Sequence, residues 1–268
     1  MAQDILIPAE RGIFTHSLRR SLIRYLNATD NSPQHRYNLR EVSLDDFNAP
    51  GTLDAGRTAL LILPGINGDI SPYPQRFRAD MQKRLLDALH SGVNIFGLCA
   101  GAYYLSRHLA YERDQSLTLV RTNHSALFNG LARGPLRGYA RHDHNREDDY
   151  DLSDITSLAI DVISPSGHRH PMYACYGNGP VFQGYEEQYE TLARYRDLKG
   201  APPAIISIKH GAGEAILSGI HSEINLDDMR SYYHYKQAPH IAGDLSYLHN
   251  SEDKRKMLQV RLWQRLCP

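Results

Sequence analysis

The stretch 94-NIFGLCAGAYYLS-106 sets a cysteine between two glycines where one residue pattern gives way to another. Val93 to Leu98 is a short apolar run that reads as a strand, and 101-GAYYLSRHLA-110 reads as a helix. A residue at such a junction sits on a sharp, strained turn. Its neighbours two positions away must be small or their side chains collide, and Gly97 and Gly101 meet that need. The turn would lift the Cys99 thiol towards a helix N-terminus, whose partial positive charge favours a thiolate. It would also aim the Ala100 N–H at a developing oxyanion. A buried cysteine in a tight turn would show the same local pattern, so the motif alone leaves both readings open.

Working outward, the first half of the chain alternates strand and helix signals. "DILIPA" is a short strand, and from Thr15 the residues Leu18, Leu22 and Leu26, with Tyr25, mark one helix face. "RYNLREVSL" is a second strand. "TALLILPG" (58–65) is a continuous apolar run closed by Pro-Gly, which suits a strand buried on both faces of a parallel sheet. After the loop "GINGDISPYP", Pro74 is placed to open a helix carrying Phe77, Met81, Leu85 and Leu89, and Gly92 to end it. This alternation predicts a parallel sheet flanked by helices. Beyond about residue 110 come short strand candidates, "SLTLV", "PLRGYA", "SLAIDVI" and "HPMYACYG", read as a β-rich elaboration. "PAIISIKH" and "GEAILSGI" form a strand pair turned at Gly211 to Gly213. Residues 252–266 form an amphipathic helix with Leu258, Leu262 and Leu266 in line, and Trp263 reads as a core or interface anchor. The charged patch 141–151 is the best candidate for a mobile loop. The expectation is one domain over 1–268.

The composition narrows the function classes. Lys plus Arg and Asp plus Glu are 30 each, so the net charge is zero, which offers no general attraction for nucleic acid or anionic membrane. Cys99, Cys175 and Cys267 are few, odd in number and lack a C-x-x-C pair, which fits a reducing compartment. The N-terminus shows no signal-peptide pattern and no stretch approaches the roughly 20 apolar residues of a membrane span. The expected location is the cytoplasm.

A second motif stands in "AILSGIHSEIN". His221 and Glu223 follow a strand two residues apart, and in extended chain such positions face the same way. The Glu223 carboxylate can then fix the His221 tautomer, leaving the ring to take a proton from Cys99 and return it to a leaving group.

The order of cysteine elbow, strand and His-x-Glu resembles the class I glutamine amidotransferase-like superfamily. More narrowly the chain resembles the biotin–protein ligase N-terminal domain family. "ILIPAERGIFTHSLRRSLIRYL", "LLILPGINGDISPY", "GLCAGAYYLS", "RGPLRGY", "YGNGPVF" and "PAIISIKHGAGEAILSGIHSEIN" match it in order, over roughly residues 3 to 235. The resemblance implies a flavodoxin-like three-layer α/β sandwich with a mostly parallel central sheet and a β-rich insertion. It implies Cys99 as nucleophile, His221 as base and Glu223 as its orienting partner. Backbone N–H groups of Ala100, Gly65 and Ile66 would form the oxyanion hole. Asn67, Asp69, Tyr73, Tyr176 and Asn178 would line the pocket, with Asp69 and Tyr73 over its mouth. Two positions depart from the family pattern: Ile66 replaces a glycine after Pro-Gly, and Ser222 replaces the proline of His-Pro-Glu. The chain lacks the biotin and adenylate loop of a ligase domain.

The leading expectation is a cysteine hydrolase or amidotransferase-like enzyme acting on an amide or related carbonyl, with no cofactor and no metal. Its partner would be a small-molecule or peptide-like substrate; a protein partner or a homo-oligomer stays open. The alternatives are a non-catalytic binding or regulatory module and a redox-sensing thiol. The pairs His142/His144 and His168/His170 have a spacing that can share a metal but also suit polar loops and hairpin faces. Cys175 reads as a buried strand residue, His124 as a capping or loop residue, and Tyr103 and Tyr104 as helix packing.

Overall fold

Continuous apolar runs belong in the middle of a sheet, and the chain follows that rule. The structure, a computed structural model, describes residues 2–10, 15–28, 36–66, 71–114, 117–122, 126–139, 155–236 and 239–268. The first part alternates: β1 (Gln3–Pro8), α1 (His16–Ala28), β2 (Tyr37–Val42), α2 (Leu44–Phe47), β3 (Thr58–Leu63), α3 (Tyr73–Arg76), α4 (Met81–His90), β4 (Asn94–Leu98) and α5 (Ala100–Tyr104). A strand-rich part follows: β5 (Ser106–Asp114), β6 (Leu117–Thr122), β7 (Phe128–Gly134), β8 (Thr156–Ile163), β9 (Arg169–Tyr176), β10 (Val181–Gln183), β11 (Glu190–Tyr195), β12 (Pro203–His210) and β13 (Gly213–Ser218). Helices α6 (Leu226–Lys236), α7 (Pro239–His249) and α8 (Glu252–Leu266) complete it.

Nine strands form one sheet in the order β2-β1-β3-β4-β13-β12-β11-β8-β9. The five strands from β2 to β13 run parallel. From β13 onward each pairing is antiparallel. The parallel half is the expected doubly covered sheet; the β-rich part extends it. The remaining strands make a smaller sheet, β10-β7-β5-β6.

Alternation along the parallel strands sends side chains to two cores. Ile5, Ile7, Leu60, Ile62, Phe96, Leu98 and Ile216 face a layer containing Leu18 and Leu22 of α1 and Leu258, Leu262 and Trp263 of α8. Leu6, Leu61, Leu63, Ile95 and Leu217 face Phe47, Phe77, Met81 and Leu85, together with Phe128 and Phe182 of the small sheet. Each such side chain contributes about 1.5–3 kcal/mol when fully buried. The result is the three-layer α/β sandwich expected, with the small sheet added to one face.

Several elements differ from the sequence reading. The single helix expected from Pro74 to Leu89 is two helices, because Asn48 captures the groups a continuous helix would use. Its Nδ2 donates to the Arg76 carbonyl (3.0 Å) and its Oδ1 accepts from the Arg78 N–H (3.0 Å). The helix after Cys99 is one turn long, and Ser106–Asp114 is a strand. There long-range pairing with β6 and β7 outweighs local helix preference. The described part of "PLRGYA", 135–139, is a turn and not a strand: Gly138 has φ +85°, and the Tyr139 N–H donates to the Leu136 carbonyl. Helices α6 and α7 were not anticipated. At Gly92 the expected stop holds: with φ +108° it donates to Leu89, and Val93 donates to Ala88, closing a Schellman motif. The patch 141–151, His124, His142 and His144 lie outside the described residues.

Candidate active site

Because β4 and β13 are adjacent and parallel, their carboxyl ends emerge side by side, with Leu98 opposite Ser218. Open α/β sheets place their sites at such ends. Cys99 follows β4 directly, and its N–H donates to the Ser218 carbonyl (2.9 Å). His221 follows β13, and its N–H donates to the Cys175 carbonyl at the end of β9 (2.8 Å). Three strand ends thus converge on two side chains.

Cys99 has φ 46° and ψ −104°, a backbone strain of order 1–3 kcal/mol for a residue with a Cβ. The flanking glycines make it achievable. A Cβ at Gly101 would stand 1.9 Å from the Leu63 carbonyl oxygen, and one at Gly97 2.7 Å from Leu105 Cδ1. Ala100 is the first residue of α5, so its N–H has no partner within that helix. At five residues α5 is too short for its dipole to dominate. The main charged neighbour of the thiol is the His221 ring.

That ring is nine-tenths or more buried, as is Glu223. His221 Nδ1 lies 2.7 Å from Glu223 Oε1. Burial alone would push the ring's pKa down. The Glu223 charge and hydrogen bonds with Cys99 and Glu223 outweigh it and hold the ring well above its ordinary value. The imidazolium is therefore favoured beside the sulfur. The Gly177 carbonyl completes the cluster, accepting from Cys99 Sγ (3.2 Å) and lying 3.3 Å from His221 Nε2. With a sulfur beside a proton-bearing ring, and a carboxylate behind that ring, such a cluster can attack a carbonyl and shuttle one proton.

The Pro64-Gly65 loop closes the opposite side. A Cβ at Gly65 would sit 3.0 Å from His221 Cε1 and 3.5 Å from Cys99 Cβ. Ile66 is half-buried against the core beside it. Tyr73, expected over the pocket mouth, is instead fully buried and donates to the Pro64 carbonyl (2.8 Å). It supports the Gly65 loop from within the core. Asn67 and Asp69 lie outside the described residues.

The segment after β9 is tied down by three other tyrosines. Tyr103 donates to the Asn178 carbonyl (3.1 Å), Tyr176 to Gly179 (2.9 Å) and Tyr195 to Pro180 (2.9 Å). Asn178 takes φ 59°. Burial raises the pKa of Tyr73, Tyr103, Tyr176 and Tyr195, so all stay protonated as donors. Tyr103 and Tyr195 were not expected to hold this segment; the only sequence signal is that a buried tyrosine hydroxyl needs an acceptor. Cys175 is fully buried in β9, and burial pushes its thiol up. All three cysteines are free. Among the described residues no group of three or more His, Cys, Asp or Glu could hold a metal ion. No described helix is long and apolar enough to cross a membrane.

The fold is that of the glutamine amidotransferases. A glutamine amidotransferase from Thermotoga maritima superposes over 100% of both chains with a TM-score of 0.55 at 10% identity. One from Methylobacillus flagellatus covers 99% of this chain and 92% of its own, with a TM-score of 0.54 at 12% identity. The chain belongs to the family "Biotin-protein ligase, N terminal", whose model matches residues 3–266. It is similar to an uncharacterized protein of Chlamydia muridarum, 28% identical over 168 residues, and to the biotin–protein ligase of Schizosaccharomyces pombe, 29% identical over 175 residues. These alignments take in 62% and 63% of this chain, but span only 61% of the first relative and 26% of the second.

Proposed function

We propose that the protein is a cysteine-dependent hydrolase or amidotransferase-like enzyme acting on an amide or related carbonyl, with Cys99, His221 and Glu223 as its triad. The observation that carries the reading is the junction itself. A strained Cys99 and a buried His221 meet at the Gly177 carbonyl, at 3.2 and 3.3 Å, and the other ring nitrogen of His221 is held 2.7 Å from Glu223. In this reading the Cys99 proton already rests on His221, and the thiolate sulfur attacks the carbonyl carbon. The oxyanion is met by backbone N–H groups at Ala100 and the Gly65-Ile66 loop. His221 then protonates the leaving group as its bond to carbon breaks, leaving a thioester on Cys99. Water or an amine attacks the thioester, giving its proton to His221, and the thiolate is restored. The substrate is a small molecule or a peptide-like chain in the cytoplasm.

The test is labelling with a panel of electrophilic carbonyl probes, the labelled residue being found by mass spectrometry. Cys99 should react at least about tenfold faster than a free thiol, and His221→Ala should remove that advantage. Labelling no faster than a free thiol overturns the reading. It would favour the second reading, a non-catalytic binding or regulatory module. One observation speaks for that module: the Gly177 carbonyl already engages the sulfur, at 3.2 Å. A direct glutaminase assay separates the amidotransferase branch from other acyl donors.

A further inference from the structure

Glu223 is held oddly for a residue that must aim at a partner. One carboxylate oxygen meets His221, while the other is buried and takes no hydrogen bond from any described residue. Its direction must therefore come from the backbone on either side. The preceding carbonyl, of Ser222, accepts from Gln259 Nε2, and the following one, of Ile224, accepts from Arg255 Nη2. Arg255 and Gln259 stand four residues apart on α8, hence on one face. Arg255 is itself buried and braced: Nη1 pairs with Glu252 (3.2 Å), and Nη2 also reaches Cys175 Sγ (3.5 Å). The chain then enters a capping box, in which Asn225 and Asp228 exchange backbone-to-side-chain hydrogen bonds (3.1 and 3.0 Å). Arg20 of α1 holds Asp228 (2.8 Å).

We propose that Arg255 and Gln259 are positioning residues that clamp the backbone on both sides of Glu223 and so set its aim at His221. The proposal rests on the triad reading above. Helix α8 thereby acts on the Cys99 thiol from behind the sheet, through Glu223 and then His221. The titratable groups facing the Cys99–His221 pair are Glu223, Tyr73, Tyr103, Tyr176, Tyr195 and Cys175, with Arg255 and Glu252 behind Cys175. Burial holds the tyrosines and Cys175 above their ordinary values, so they do not contribute to a change on the acid side.

The experiment follows iodoacetamide alkylation of Cys99 in the whole protein from mild acid to mild alkali, read on the Cys99 peptide by mass spectrometry. If Glu223 loses its aim, His221 loses support for its proton and the thiolate loses its counter-charge. The acid limb then moves to higher pH. Glu223→Gln should move it by about one unit, tenfold slower labelling on the limb. Gln259→Leu and Arg255→Gln should each move it in the same direction by roughly half a unit or more, and Arg255→Lys less. Adding Gln259→Leu to Glu223→Gln should move it no further, because both act through one group. Gln259 is only half-buried, so its variant carries the test if Arg255→Gln does not fold. Profiles for Gln259→Leu and Arg255→Gln that superimpose on the parent while Glu223→Gln shifts would overturn the clamp and leave the triad standing. A Glu223→Gln profile that superimposes on the parent overturns the triad itself.

Discussion

At Gly101 a Cβ would lie 1.9 Å from the Leu63 oxygen, and the atom in its way is backbone at the carboxyl end of β3. Nothing there can rotate aside. Gly101→Ala should destabilise the protein by about 3 kcal/mol or more. The alanine exchange at Gly138, where φ is +85° and nothing lies within 4 Å, should cost only about 1 kcal/mol. Urea unfolding of both variants checks this, and equal losses would mean that the close approach to Leu63 is not tight. This contrast also explains what a reader of residues can find. Gly97, Cys99 and Gly101, or His221 and Glu223, signal their arrangement through short spacing. Gln259 and Arg255 do not, because their partners are the carbonyls of Ser222 and Ile224, and a carbonyl is the same at every position. Tyr195 is hidden for the same reason: it meets Pro180 only through the backbone.

Elements in the first half follow local pattern wherever the pattern has no rival. Beyond their first residues, Thr58 and Asn94, β3 and β4 are apolar and lie within the parallel half, and α4 ends at the glycine meant to end it. Where a distant group competes, the pattern loses. Asn48 splits the stretch after Pro74 into α3 and α4 from about 30 residues away in sequence. Asn48→Ala should therefore cost about 1–2 kcal/mol by thermal or urea unfolding, the loss of two hydrogen bonds at that link. An unchanged midpoint would show that the break between α3 and α4 has another cause. The stretch 106–110 lost its helical reading in the same way, to partners in β6 and β7 whose positions no local spacing announces.

Over the whole molecule, the parallel half of the sheet carries the site and both faces of that half are closed by helices. α8 closes one of them, and it does so with Trp263, 2% exposed, edge-on to Phe96 of β4 at 5.5 Å and donating to Ser21 of α1 (3.1 Å). Phe96 lies three residues before Cys99. The docking of α8, the floor under the cysteine strand and the clamp on Glu223 thus belong to one packed unit. Urea should undo them together: loss of the tryptophan environment should coincide with loss of circular dichroism. A tryptophan transition that comes earlier would show α8 leaving first. Trp263 is the sole tryptophan in the chain, so the protein carries its own optical gauge. The fluorescence of one indole, with no label attached, reports in real time whether the helix behind Glu223 is seated.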